Sequence, residues 1–129
     1  MTEQLADSVC IRIQPDEDMI QVFRLVTTAL SSRVGLNLDQ ADDLNTALEE
    51  LFRFVISSVD EETTFRVHYS VLSDRLEVTA EGVPLDLSDD SSKVNRYSRF
   101  VIDSITDDLC ESPNPEGGYN ILMVKYLST

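Results

Sequence analysis

No stretch of this 129-residue sequence approaches the roughly 18 consecutive apolar residues that a membrane-spanning helix needs, so no membrane partner is expected. The start, MTEQLADSVC, has neither the basic nor the apolar region of an export signal, and a cytoplasmic protein is the expectation. Cysteine is scarce. Cys10 and Cys110 lie one hundred positions apart with no Cys-x-x-Cys spacing, which argues against zinc and against thiol exchange. Buried free thiols are expected, and a disulfide would require the first strand and the third helix to bring the two together.

Basic residues are also few. Ten Lys and Arg stand against 24 Asp and Glu, a formal net charge of −14 that repels phosphate backbones and excludes direct nucleic-acid binding as the leading expectation. The same field would attract a basic protein surface, although on composition alone solubility is the simpler account of the acidity. The single histidine, His68, has no Asp or Ser partner at a recognisable catalytic spacing and reads as surface. The acidic runs Asp16 to Asp18, Asp42 to Asp43 and Glu61 to Glu62 do not fit a calcium loop, so no metal site is expected.

What is present is an ordinary apolar content, 42% of residues, enough for one domain over positions 1–129 with its own core. SVCIRIQ alternates Val9, Ile11 and Ile13 with polar residues, the pattern of a strand buried on one face. Pro15 then opens a helix whose acidic DED suits the positive end of the helix dipole. Met19, Val22, Phe23, Val26, Leu30 and Val34 recur along it at helical spacing, and Gly35 ends it. A second helix starts at Asp39, read as its cap, and runs to about Ser58, with Ala41, Leu44, Leu48, Leu51, Phe52, Val55 and Val59 on one stripe. Glu50 lies nearly opposite that stripe, and Phe54 roughly 100° from its centre.

TTFRVHYSVL and LEVTA form a hairpin around SDR, with Phe65, Val67, Tyr69, Val71, Leu76, Val78 and Ala80 on one face. Arg66, His68, Ser70, Glu77 and Thr79 would line a polar outer face, so helices cover the sheet on one side only. A third helix is predicted from Lys93 to Leu109, with Val94, Tyr97, Val101, Ile105 and Leu109 in register. Asp107 and Asp108 then fall at its end, where adjacent positions point about 100° apart and cannot share an acid–base role. NPEGGY turns into a final apolar strand, YNILMVKYL. The resulting order, βααββαβ, predicts an α+β protein: a two-layer sandwich with a mostly antiparallel sheet and helices on one face.

Several of these strings resemble one family. ADDLNTALEELFRFVI resembles the helix carrying the first ATP-binding motif of the histidine-kinase-like ATPase (GHKL) fold, in its anti-sigma-factor serine-kinase branch. LEVTAEGVPLDL resembles the strand and turn of that family's Asp-x-Gly-x-Gly motif, and SRFVIDSITDDLCESPNPEGGYNILMVKYL its last helix, turn and strand. The resemblance extends from about Val9 to Leu127. It implies that Glu50 occupies the place of the catalytic base.

The departures from the family bear on chemistry. Where the family has an Asn whose amide oxygen holds magnesium, this sequence has Phe54, which offers a hard cation no lone pair. Where an Asp accepts from the adenine amino group, Ala80 stands. Gly82 keeps the first motif glycine, but Pro84 replaces the second and has neither an N–H nor a free φ. Before the last helix the family's glycines give way to SDDSSKVNRYSRF, where Asp89 and Asp90 meet a triphosphate with like charge, softened by Lys93 and Arg96.

The resemblance therefore implies an anti-sigma-factor-like regulator that binds a sigma factor, an anti-anti-sigma protein, or both, with no cofactor and without efficient ATP binding. Glu50, Phe54, Ala80, Gly82 and Pro84 would be the remnant of a nucleotide pocket. Family members bind partners around the first helix, which points to Gln21 and Arg24 as contacts, and many form homodimers. Two alternatives stay open: an active serine kinase of the family using ATP and magnesium with Glu50 as base, and an unrelated α/β interaction module. In the last case Glu50 is a solvated helix residue and Phe54 a ring packed under a neighbouring loop.

Overall fold

The computed structural model describes residues 7–14, 16–56, 64–83 and 93–128, the side chains of 93–95 excepted. Strand β1 (Asp7–Ile13) leads through a 3-10 turn (Glu17–Met19) into α1 (Ile20–Val34) and α2 (Leu38–Ile56). The hairpin β2 (Phe65–Val71) and β3 (Arg75–Val83) precedes α3 (Lys93–Ile105), β4 (Asp108–Pro113) and β5 (Tyr119–Tyr126). The strands make one five-stranded sheet in the order β1-β2-β3-β5-β4, with every neighbouring pair antiparallel. The helices pack against one face of it, as the α+β reading requires.

Local chemistry explains the helix limits. Asp16 Oδ1 accepts from the Asp18 N–H at 3.0 Å at the entry to the first helical segment. Gly35, at φ 99°, closes α1 with its N–H on Ser31 O, while Leu36 N–H reaches the same carbonyl. The cap of α2 is Asn37 rather than Asp39: its Oδ1 accepts from Gln40 N–H at 2.8 Å, and Gln40 Oε1 accepts in return from Asn37 N–H at 3.0 Å. Gln40 also donates through Nε2 to Tyr126 O at 2.8 Å, which fastens the start of α2 to the end of β5.

The core lies between the inner sheet face and all three helices. Phe23, Phe52 and Phe65 form an aromatic cluster with centroids 5.1 to 6.0 Å apart. Beside it the Tyr69 hydroxyl is buried and shares a 2.9 Å hydrogen bond with Thr27 Oγ1.

Four further expectations are corrected. The third helix stops at Ile105, and the residues beyond it form the additional edge strand β4, in which Leu109 pairs with Met123. A six-residue strand, DLCESP, carrying charge and ending in proline gives little β signal, which is how edge strands are commonly built. Second, Tyr97 does not face the core: it is 64% exposed, and the buried register of α3 runs through Ser98 and Ile102.

Third, both cysteines are exposed rather than buried. Cys10 points outward between the inward Val9 and Ile11, and Cys110 sits opposite Leu122 on the same outer face. They occupy the two opposite edge strands, roughly 19 Å apart at about 4.8 Å per strand spacing, so the fold holds them as separate thiols. Fourth, Asp107 and Asp108 follow the helix instead of ending it. Asp107 accepts from Tyr126 N–H and Asp108 from the Tyr126 hydroxyl, both at 2.7 Å, so the start of β4 and the residue before it are both fastened to the end of β5.

Candidate functional site

Helix α2 packs between α1 and α3, so its buried arc is wider than its sequence stripe. Phe54 is 4% exposed, a member of the core and not of an open wall. Glu50, one turn earlier, is partly buried, and its Oε1 accepts a hydrogen bond from Ser98 Oγ of α3 at 3.0 Å. Ser98 is itself 3% exposed. It was missed in the sequence because a serine does not register as part of an apolar stripe, although it stands one turn before the buried Ile102.

The second group of motif residues lies on β3. Ala80 is fully buried on the inner face, opposite Val67 on β2 and Ile121 on β5. Gly82, at φ 69°, sits where the β3–β5 register slips, and its N–H donates to Asn120 Oδ1 at 3.2 Å. Gly118 makes this slip possible: a Cβ there would stand 2.5 Å from Val83 O. Pro84, Asp89 and Asp90 lie outside the described residues, as does the Lys93 side chain, while Arg96 is exposed on α3.

A cavity of about 490 Å³ does open beside Gly82, but on the other side of the sheet. Arg66, Glu81, Asn114 and Asn120 line it, and neither Glu50, Phe54 nor Ala80 does. The structure thus holds Glu50 against α3 and Phe54 in the core, and places Gly82 at a separate, polar groove.

Phe54 and Ala80 both present apolar side chains at their motif positions. A cation bridging phosphates needs oxygen donors, and the side chain one turn from Glu50 is a buried phenyl ring. The adenine amino group needs an acceptor, and Ala80 presents a methyl group. Among the described residues no group of three or more His, Cys, Asp or Glu side chains is placed to hold a metal ion. His68 is partly exposed on the outer face, opposite Cys10 and Thr79.

The proposed contact residues on α1 differ in freedom. Gln21 is exposed, whereas Arg24 Nη1 is held by Glu49 Oε2 at 2.6 Å, with Arg53 reaching the other oxygen of the same carboxylate at 2.8 Å. At the opposite end of α2 the nearly buried Lys125 Nζ donates to Asp43 and to Ile105 O, both at 2.9 Å, which closes the layer at the C-terminal end of α3. No described helix is long and apolar enough to cross a membrane.

No protein-family model matches the chain. It is 22% identical over 139 aligned positions to the serine-protein kinase RsbW of Bacillus cereus (strain G9842), covering 94% of this chain and 86% of that protein. It is 21% identical over 141 positions to the protein of the same name from Staphylococcus aureus (strain JH9), covering 94% and 87%. The chain is thus similar, at low identity and along nearly its whole length, to proteins named serine-protein kinase RsbW, in keeping with the resemblance to the anti-sigma-factor serine-kinase branch.

Proposed function

We propose that this protein is an anti-sigma-factor-like regulator that works by binding a sigma factor, an anti-anti-sigma protein, or both, without efficient use of ATP. The observation that carries this reading is the burial of Phe54 in the core at the place where the family holds its magnesium ligand. Ala80 and the engaged carboxylate of Glu50 support it independently. Regulation would then be competition by contact: one partner covers the surface another needs, acidic groups of the −14 chain speed the approach of a basic partner, and buried anchors set the lifetime of the complex. The exposed side of α1 around Gln21, with Arg24 oriented by Glu49, is the proposed contact surface.

Mixing the purified protein with its cognate sigma factor and anti-anti-sigma protein, with and without ATP and magnesium, tests the proposal. Complexes that form and exchange identically in both conditions, with no phosphate transferred, are the expected result. Serine phosphorylation of the anti-anti-sigma protein would overturn it in favour of the second reading, an active serine kinase. That reading has two supports: Glu50 stands at the base position, and the relatives are named as kinases.

A further inference from the structure

The outer surface of α3 is at odds with the rest of the chain. Lys93, Arg96 and Arg99 place three of the chain's ten basic residues within seven positions of a protein whose net charge is −14. Asp103 is the only acidic residue of the helix. Ser98 and Ile102 turn toward the core. At about 100° per residue, Arg96, Tyr97, Arg99 and Phe100 share the opposite arc, roughly 160° wide, with the exposed Asp103 between the two arginines.

All four are exposed. Phe100 is 70% exposed and Tyr97 64%, one turn apart on the same helix. Neither Arg96 nor Arg99 has an ion-pair partner among the described residues, whereas every other described arginine except Arg12 is paired. With acidic side chains in large excess, two unpaired guanidiniums beside two exposed rings make a surface with its polar and apolar groups both unspent.

We propose that this face of α3 docks an acidic peptide segment of a partner protein, in which two or three carboxylates flank an apolar anchor. The guanidiniums would take the carboxylates in bidentate pairs, and the anchor would lie on the Phe100 and Tyr97 rings. A basic segment would be repelled by both arginines. A nucleic acid would bring one charge per roughly 1.7 Å into the field of the whole chain, a far larger repulsion than a few carboxylates meet. This surface lies on a different helix from Gln21 and Arg24, and the inference does not depend on the function proposed above.

The test is to pan a random twelve-residue phage-displayed peptide library on the full-length protein, with counter-selection on an Arg96→Glu/Arg99→Glu variant. The leading peptide is then measured by fluorescence polarisation. Enrichment of sequences pairing Asp or Glu with Leu, Phe or Trp is the expected result. Binding should weaken at least about tenfold in Arg96→Glu/Arg99→Glu and separately in Phe100→Ser, and fall with added salt.

Both variants change exposed side chains only, and an unchanged melting temperature verifies their fold. No enrichment, enrichment of basic or uncharged sequences, or peptides that bind both variants as tightly as wild type would each overturn the proposal. So would an oligonucleotide or an anionic phospholipid vesicle that binds through Arg96 and Arg99 more tightly than any selected peptide.

Discussion

Ser98 Oγ donates to Glu50 Oε1 across 3.0 Å, joining α3 to α2 at the position where the family resemblance places a catalytic base. A carboxylate that activates a hydroxyl must be open to a substrate, and this one is engaged by a hydroxyl from its own fold. The contact predicts energetic coupling: in a cycle of Glu50→Ala, Ser98→Ala and the double variant, denaturant unfolding should give an interaction term of about 1 kcal/mol. Strict additivity would mean that the contact does not form in solution.

Phe54 predicts the opposite of a tolerant surface. Replacing a ring 4% exposed with alanine should cost about 3 to 5 kcal/mol of unfolding free energy. Phe54→Asn, which restores the family's residue type, should cost at least as much because it buries an amide as well. A loss below about 1 kcal/mol in either would contradict the core assignment.

Why the sheet and two helices were legible, and the site less so, follows from what each depends on. The strands β1, β2 and β3 carry strict alternation, and their inward residues in β2 and β3 are buried as read. The place of Phe54 could not be read from α2 alone, because the burial of a residue off the main stripe depends on what packs beside the helix. Ser98 and β4 were missed for a related reason: a buried serine and a short charged edge strand carry tertiary information that has no apolar period. The cysteines misled because exposure in an edge strand depends on which face the alternation selects.

Tyr69 gives a prediction in pH. Burial pushes its hydroxyl up from 10.0 to about 12, partly opposed by the hydrogen bond with Thr27. The raised value means that the folded state holds the proton more tightly than the unfolded chain. The associated stability is therefore complete below pH 10 and is lost as pH rises toward 12. Relative to Tyr69→Phe, which cannot titrate, wild type should lose about 2 to 3 kcal/mol between those limits. A parallel pH dependence of the two proteins would contradict it.

The turn before β5 should discriminate between two neighbouring glycines. At Gly118 an alanine methyl meets Val83 O at 2.5 Å and also inherits φ 71°, so Gly118→Ala should cost about 2 to 4 kcal/mol. At Gly117 no atom lies within 4 Å of the added carbon, so only its φ of 117° opposes the change, and Gly117→Ala should cost about 1 kcal/mol. Equal losses in thermal unfolding would show that contact with β3 is not the constraint.

The central claim, regulation by binding on a scaffold without efficient nucleotide use, is tested most directly by isothermal titration calorimetry of ATP and ADP with magnesium, on wild type and Glu50→Ala. The account predicts no detectable binding to either protein up to millimolar nucleotide. Micromolar binding to wild type that weakens in Glu50→Ala would contradict it and favour the reading of this chain as a working kinase.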